Sequence, residues 1–203
     1  MRHYGARAEW TDGQTICIAP GGYEDRPLTV EGDWSGASYW YELAAVAAHC
    51  GHEVEILLNG LTANSKQGDR VVAEMFEPLG VATEYTAEGA RLTAPPKSSP
   101  RGGLSGRGVL DFTHCPDIAQ TLAVTCCLLG VPFTFEGIHS LRIKETDRVA
   151  ALITELRKLG YVLRAEGTTR LIWDGERTEP TPHPTIATYD DHRMAMAFAP
   201  AAL

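Results

Sequence analysis

Three groups of charged residues have types and spacings suited to proton transfer and anion binding. Each group stands at a predicted helix start: Cys115-Pro116-Asp117, Arg142-Ile143-Lys144-Glu145-Thr146-Asp147-Arg148, and Asp190-Asp191-His192-Arg193. Unpaired backbone N–H groups and the helix dipole favour anions there. A guanidinium at a helix start, such as Arg193, is disfavoured by the dipole unless an anion arrives. These residues predict a site that binds anions and holds carboxylates for proton transfer.

Each group also has a simpler interpretation. Asp117 or Asp191 in a first helical turn is most often a cap or a partner of the helix dipole. Lys144, Glu145 and Arg148 have the spacing of an exposed salt-bridge set, which usually contributes little. His192 taken alone is more often structural than catalytic. Three related stretches of the chain place such groups at the same structural point, which supports the site, but the spacing alone leaves both interpretations open.

Those stretches come from an internal repeat with an offset of about 78 to 80 residues. The run Gln67-Gly68-Asp69-Arg70-Val71-Val72 matches Glu145-Thr146-Asp147-Arg148-Val149-Ala150, and Leu79-Gly80 matches Leu159-Gly160. Apolar residues at helical spacing, glycines at helix ends and short strands joined by a Glu-Gly turn follow in both copies. Each copy therefore predicts the order βαβαββ, and the fold class is α/β with this unit repeated.

The predicted elements can be given copy by copy. The first has a strand Leu28–Val30, a helix Ser35–Cys50 closed by Gly51, a strand His52–Leu58, a helix from about Gln67 and a hairpin over 82–93. The second has a buried helix Ile118–Leu129 opened by Pro116, a strand Pro132–Phe135, a helix Val149–Leu159 closed by Gly160, and strands Tyr161–Ala165 and Arg170–Trp173. The third has a strand Thr185–Tyr189 and a helix from near Asp191.

The predicted organisation is two full units, at about 29–94 and 108–174, and the start of a third at about 185–203. The Pro- and Gly-rich stretches Pro95–Gly108 and Thr178–Pro184 are interpreted as surface connections. Gly102-Gly103 and Gly106-x-Gly108 resemble a phosphate loop, but they do not join a clear strand to a helix start as that mechanism requires. The linker interpretation is therefore favoured.

Composition describes a globular protein and excludes several classes of partner. The chain has 203 residues, of which 44% are apolar and 22% charged, with a formal net charge of -8. That balance argues against nucleic acid, which needs clustered Lys and Arg. No apolar run reaches the roughly 20 residues of a membrane span. The odd set of Cys17, Cys50, Cys115, Cys126 and Cys127 lacks metal-ligand spacing, so we expect free thiols, no metal and a cytoplasmic location.

The motifs in order resemble those of the 3-phosphoshikimate 1-carboxyvinyltransferases, or EPSP synthases, over about Thr29 to Leu203. The most specific are Lys144-Glu145-Thr146-Asp147-Arg148 and Asp190-Asp191-His192-Arg193-Met194-Ala195-Met196; Val30–Tyr39, Gln67-Gly68-Asp69, and Pro116-Asp117 followed by Thr121–Val124 support them. The UDP-N-acetylglucosamine enolpyruvyl transferases share the fold and reaction type but match the two specific motifs less well. A non-catalytic domain of the same fold is the remaining alternative.

The resemblance implies transfer of the enolpyruvyl group of phosphoenolpyruvate to the 5-hydroxyl of shikimate 3-phosphate, in aromatic amino-acid biosynthesis. It also implies two domains of three βαβαββ units around a pseudo-threefold axis, an inside-out α/β barrel, and no cofactor. Asp117 would accept the hydroxyl proton and Glu145 would exchange a proton with the methylene carbon. Substrate binding would fall to Lys144 for the shikimate phosphate, Arg148 and Arg193 for phosphoenolpyruvate, and Asp191 and His192 for the pocket wall. The family often has Asn or His where Ser140 stands, so a substrate contact from Ser140 is in question.

The resemblance also implies that the chain is an incomplete enolpyruvyl transferase. Residues 1–28 resemble the end of the other domain, and the family motifs that precede them have no counterpart here. Since the family closes groups from both domains on its substrates, we expect no turnover from this polypeptide alone. The expected partners are the two small-molecule substrates and the N-terminal domain of the same enzyme, without nucleic acid or membrane. An intact enzyme is expected to be a monomer, and the 203-residue chain to self-associate.

Overall fold

The computed structural model describes residues 1–97, 104 and 109–203. Most of the predicted connection Pro95–Gly108, including both glycine pairs, lies outside the described residues. The chain divides into two compact units, Met1–Val30 and Glu31–Leu203. Within the described part of the chain, no helix is long and apolar enough to cross a membrane.

The unit Met1–Val30 is built on a short hairpin. Strands β1 (Ala8–Trp10) and β2 (Ile16–Ile18) pair antiparallel, with Ala8 opposite Ile18. Trp10, Ile16 and Ile18 are exposed, so the hairpin buries little apolar surface. It provides no residue of the predicted site.

The unit Glu31–Leu203 contains the repeat as two sheets whose three shared strands have the same order, with one more strand, β6, in the second sheet. In the first copy the elements are α1 (Trp34–His49), β3 (Val54–Asn59), α2 (Val72–Phe76), β4 (Ala82–Tyr85) and β5 (Gly89–Ala94). In the second they are β6 (Leu110–Asp111), α3 (Ala119–Leu128), β7 (Phe133–Glu136), α4 (Arg148–Lys158), β8 (Arg164–Glu166) and β9 (Arg170–Trp173). The sheets run β3-β5-β4 and β6-β7-β9-β8, antiparallel except that β6 is parallel to β7. The predicted mixed α/β repeat is confirmed.

Local sequence signals set the ends of the two longest helices. Asp33 accepts a hydrogen bond from the Ser35 N–H and so caps α1, and Gly51 follows its end with φ 99°. Asp147 caps α4 in the same way through the Ala150 N–H, and Gly160 follows with φ 88°. Both helices begin and end within a residue or two of their predicted positions.

The three helices α1, α3 and α5 pack against one another. Helix α5 (His192–Phe198) lies in the predicted third copy and contacts both α1 and α3, which also contact each other. All residues of α3 from Ala119 to Cys127 are buried, including the polar Gln120, Thr121 and Thr125. The starts of these helices lie close together, which positions the groups described below.

Two predicted strands are not present. Leu28–Val30 forms no strand, and Leu28 and Val30 are 67% and 82% exposed. Two residues later, the Gly32 N–H donates to the carbonyl of Gly60, which directly follows β3. Thr185–Tyr189 is also irregular, and Tyr189 and Asp190 have positive φ values of 59° and 53°, which an extended strand cannot contain. In both places the alternation of residue types was present, but a ladder of hydrogen bonds with a neighbouring strand was not.

Candidate functional site

The predicted charged residues come together around the carboxylate of Asp117. Asp117 lies in the 3₁₀ turn Pro116–Ile118 that leads into α3. Its Oδ1 accepts from Arg148 at 3.1 Å and lies 3.1 Å from Lys144 Nζ, while its Oδ2 lies 3.7 Å from Arg193 Nη2. Three cations from three separate helix starts or loops therefore meet one carboxylate.

Arg148 is the buried centre of this cluster, with a side chain only 1% exposed. Its Nε and Nη2 donate to the two oxygens of Asp191 at 2.8 and 3.3 Å, and Nη2 also donates to Glu145 at 2.6 Å. With the bond to Asp117, four of its five N–H groups are occupied by carboxylates. Arg148 thus holds the starts of α3, α4 and α5 in one arrangement.

Local electrostatics keep two of these carboxylates ionised. Burial alone would raise the pKa of Asp117, but the hydrogen bond from Lys144 and the charges of Arg193, Lys144 and Arg148 bring that pKa below its ordinary value. Burial of Asp191 is likewise outweighed by Arg148 and by the Arg193 N–H, so its pKa is also lowered. The three cations are therefore balanced by Asp117, Asp191 and the acidic side chain of Glu145.

The two cations on the open side of the cluster differ from Arg148. The side chains of Lys144 and Arg193 are 31% and 18% exposed, and among the described residues the one acidic partner of each is Asp117. Arg193 is in the first turn of α5, which Asp191 caps. These two side chains can turn to a bound anion without breaking the buried contacts of Arg148.

The remaining predicted residues lie at the edge of the cluster. Glu145 is 48% exposed on its side chain and touches Arg148. His192 opens α5 and is exposed. Ser140 lies in the 3₁₀ turn His139–Ile143, half-buried, without a hydrogen bond or ion pair to the cluster. The structure therefore joins Asp117, Lys144, Glu145, Arg148, Asp191 and Arg193, and leaves His192 and Ser140 peripheral.

A second acidic group, Asp69, was not predicted as a site residue. It precedes α2, accepts a hydrogen bond from Ser35 Oγ, and is 8% exposed. Burial raises its pKa, the Ser35 bond lowers it, and the nearby charge of Asp117 raises it further. Two neighbouring carboxyls whose pKa values are pushed in opposite directions are typical of acid–base sites. The available signal was the repeat, since Gly68-Asp69-Arg70 aligns with Thr146-Asp147-Arg148.

Tyr39 completes the wall beside Arg193. Its hydroxyl is buried, and no described side chain meets hydrogen-bond geometry with it. Burial raises the pKa of Tyr39, and the charge of Arg193 opposes that rise. The Tyr39 hydroxyl therefore faces the cation that is available to a ligand.

The chain resembles known proteins along its whole length. The family model described as EPSP synthase (3-phosphoshikimate 1-carboxyvinyltransferase) matches residues 1–203. A 3-phosphoshikimate 1-carboxyvinyltransferase of Bacteroides fragilis is 52% identical over 203 residues, covering 100% of this chain and 47% of that protein. One from Neisseria gonorrhoeae is 40% identical over 172 residues, covering 85% and 37%. The chain thus spans about half the length of the curated relatives it matches.

Solved structures show the same fold. EPSP synthase from Acinetobacter baumannii superposes with a TM-score of 0.67 at 20% identity, covering 100% of this chain and 46% of that one. The enolpyruvyl transferase NikO from Streptomyces tendae gives a TM-score of 0.56 at 20% identity, covering 100% and 44%. The predicted enolpyruvyl transferase fold is therefore confirmed.

Proposed function

Because the chain belongs to the EPSP synthase family, whose model matches all of residues 1–203, we propose that it forms one wall of the active site of a 3-phosphoshikimate 1-carboxyvinyltransferase. The reaction transfers the enolpyruvyl group of phosphoenolpyruvate to the 5-hydroxyl of shikimate 3-phosphate and releases phosphate. The observation that carries the proposal is the convergence of Lys144, Arg148 and Arg193 on the carboxylate of Asp117. An ionised carboxylate beside several cations can accept the proton of a hydroxyl nucleophile while the cations bind anionic substrates.

Asp117 is proposed to accept the proton of the attacking hydroxyl. Its Oδ1 is occupied by Lys144 and Arg148, whereas its Oδ2 has only the longer contact with Arg193. Oδ2 is therefore the oxygen open to a substrate. When Lys144 moves to a substrate phosphate, Asp117 loses the hydrogen bond that most lowers its pKa and becomes a stronger base. Binding of the phosphorylated substrate would thus prepare the base for proton transfer.

Glu145 is proposed to exchange the second proton, at the methylene carbon. Its carboxylate is held by one hydrogen bond from Arg148, and half of the side chain remains exposed. It stands next to Lys144 in the chain but contacts a different side of the cluster. Two separately held carboxylates are what the reaction needs, because one proton leaves oxygen while another reaches carbon.

Anion binding is divided between mobile and fixed cations in this proposal. Lys144 would bind the phosphate of shikimate 3-phosphate, and Arg193, a planar bidentate donor, would bind phosphoenolpyruvate. Arg148 has one N–H left, on Nη1, so its direct contact with phosphoenolpyruvate is limited to that group while it keeps its three carboxylates. Asp191 would orient Arg148 and His192 would border the pocket, while a substrate contact from Ser140 stays a prediction.

Binding of each substrate to the 203-residue chain tests this assignment. Isothermal titration of shikimate 3-phosphate and phosphoenolpyruvate, one at a time, is carried out on the parent chain and on Lys144→Met. Exposed Arg157→Met is the matched control, since it removes the same charge outside the cluster. We expect Lys144→Met to weaken shikimate 3-phosphate binding at least tenfold, about 1.4 kcal/mol, and Arg157→Met to leave it unchanged. Tighter binding of a UDP-sugar than of shikimate 3-phosphate would instead support the sister transferase.

Turnover is proposed to need the part of the relatives' length that this chain does not span. The chain covers 47% of the Bacteroides fragilis relative, and catalysis between domains depends on closure that excludes water. Phosphate release from both substrates should therefore be absent with the 203-residue chain alone. Full activity from this chain would refute the proposal that another part of the enzyme completes the site. The cytoplasmic location and the monomeric state of an intact enzyme stay predictions.

A further inference from the structure

Glu155 is a buried carboxylate outside the cluster around Asp117. It lies on α4, seven residues after Arg148, so the two side chains leave the same face of the helix about two turns apart. Its side chain is only 1% exposed. A carboxylate in that position needs hydrogen-bond partners to remain ionised. Its partners indicate which part of the chain it holds in place.

The partners of Glu155 lie mainly in the irregular segment 185–191. The Tyr189 hydroxyl donates to Oε1 at 2.8 Å, and the Ala187 N–H donates to Oε2 at 3.0 Å. Lys158 Nζ donates to the same Oε2 at 2.7 Å and also to Thr185 O at 2.9 Å. Three contacts from α4 therefore hold this segment before it enters α5.

The segment contains a strained corner directly before the cluster. Tyr189 and Asp190 both have φ in the left-handed region, at 59° and 53°. That region is unfavourable for a bulky side chain such as Tyr189, and such a conformation persists only when surrounding contacts impose it. After the corner, the Asp191 N–H donates to Thr188 O at 3.0 Å, and the Asp191 side chain binds Arg148. Arg193 follows two residues later.

We propose that Glu155 is a positioning residue, whose two hydrogen bonds to Tyr189 and Ala187 fix the corner that sets Asp191 against Arg148 and Arg193 beside Asp117. Helix α4 then holds the segment at two points, through Arg148 at its start and Glu155 nearer its end. The inference rests on the proposed function only for the role of Arg193 toward an anion. The geometry of the corner can be tested without any substrate.

Two substitutions separate positioning from a general contribution to stability. In Glu155→Gln, the amide oxygen can accept from Ala187 and the NH₂ group can donate to the Tyr189 oxygen, so both contacts to the segment are kept while the charge is lost. Glu155→Ala removes both contacts. Tyr41→Phe is the matched control, because it deletes a buried tyrosine hydrogen bond to Thr83, 2.8 Å long, in the first copy of the repeat.

Native-state amide hydrogen exchange, measured by NMR, reports how firmly residues 189–193 are held. We expect the Asp191 and Arg193 amides of Glu155→Ala to exchange at least ~10-fold faster relative to the β3 and β5 amides, and those of Glu155→Gln to stay within about threefold of the parent chain. Tyr41→Phe should leave the ratio unchanged. Should Glu155→Ala not fold, Tyr189→Phe, which deletes one of the two contacts, is expected to show the same local effect.

Either of two results would overturn the proposal. An equal rise in exchange across the segment and the β3–β5 sheet would show that Glu155 contributes only to global stability. A Glu155→Gln variant as perturbed as Glu155→Ala would show that the charge facing Lys158, and not the pair of hydrogen bonds, is what matters. A failure of phosphoenolpyruvate to bind would count against the proposed function alone, because the exchange measurement involves no ligand.

Discussion

Replacing Arg148 by methionine should destabilise the protein strongly and in a pH-dependent way. Arg148 and Asp191 are both buried, with side chains 1% and 0% exposed, and Arg148 also binds Asp117 and Glu145. Methionine fills similar space but leaves Asp191 as a buried carboxylate without its cation. Breaking a buried pair by removing one partner costs about 3–5 kcal/mol, which is a large part of the roughly 5–15 kcal/mol that stabilises a typical domain.

The pH dependence follows from the direction of the pKa changes. In the parent chain, the lowered pKa of Asp191 contributes stability that is present above the unfolded pKa and is lost as pH falls through the folded pKa. Without Arg148, burial dominates and raises that pKa above the unfolded value. The folded variant then gains by binding a proton as the pH falls. The stability difference between the parent chain and Arg148→Met should therefore be larger at pH 8 than at pH 5.

Urea unfolding followed by circular dichroism at these two pH values measures the effect. Arg164→Met is the matched control: Arg164 also meets two carboxylates, Asp174 and Glu166, but its side chain is 50% exposed. That variant should lose less than about 1 kcal/mol. A loss below about 1 kcal/mol in Arg148→Met, or an equal loss at both pH values, would refute the view that Arg148 compensates buried carboxylates.

Two further substitutions test other parts of the fold. Burial raises the pKa of Glu42 well above its ordinary value. The folded protein therefore loses stability as pH rises above the unfolded pKa of this group. The Glu42→Leu variant should have a free energy of unfolding in urea that is about 1–3 kcal/mol higher at pH 8, with a smaller increase at pH 4. A result with no gain at either pH would contradict this. Trp40, Met196 and Leu203 are 49%, 39% and 63% exposed around one apolar concavity; we expect sedimentation to show self-association of the parent chain and a clean monomer for Trp40→Lys. A monomeric parent chain at high concentration would rule that surface out.

The helices were predictable because their signals are local. Gly51 and Gly160, which were predicted to close α1 and α4, follow their ends with positive φ, and Asp33 and Asp147 cap their starts through one local hydrogen bond each. The run that becomes α3 is mostly apolar, which predicted a buried helix. Each of these features is set by a few neighbouring residues, so the sequence alone contains the information.

The irregular segments were not predictable for the opposite reason. Residues 185–189 resemble a strand in composition, but their conformation is imposed by Glu155, which is about 30 residues away in the sequence. The buried position of Asp69 beside Asp117 likewise depends on how the 3₁₀ turns Gly68–Val71 and Pro116–Ile118 pack together. In both cases the determining contact joins elements that are distant in the chain. The spacing of neighbouring residues in the sequence does not predict such a contact.

The repeat shows why a motif alone could not assign a role to Arg148. Arg70 occupies the equivalent position, within the same Asp-Arg-Val sequence, yet its side chain is 33% exposed and pairs with Glu74 at an i,i+4 spacing on the surface. Arg148 is buried because it pairs with two carboxylates from other parts of the fold. Asp117 lies before α3, and Asp191 lies before α5. The local sequence therefore places an arginine at a helix start in both copies. Only the packing of α3, α4 and α5 makes one of them the centre of the charged cluster around Asp117.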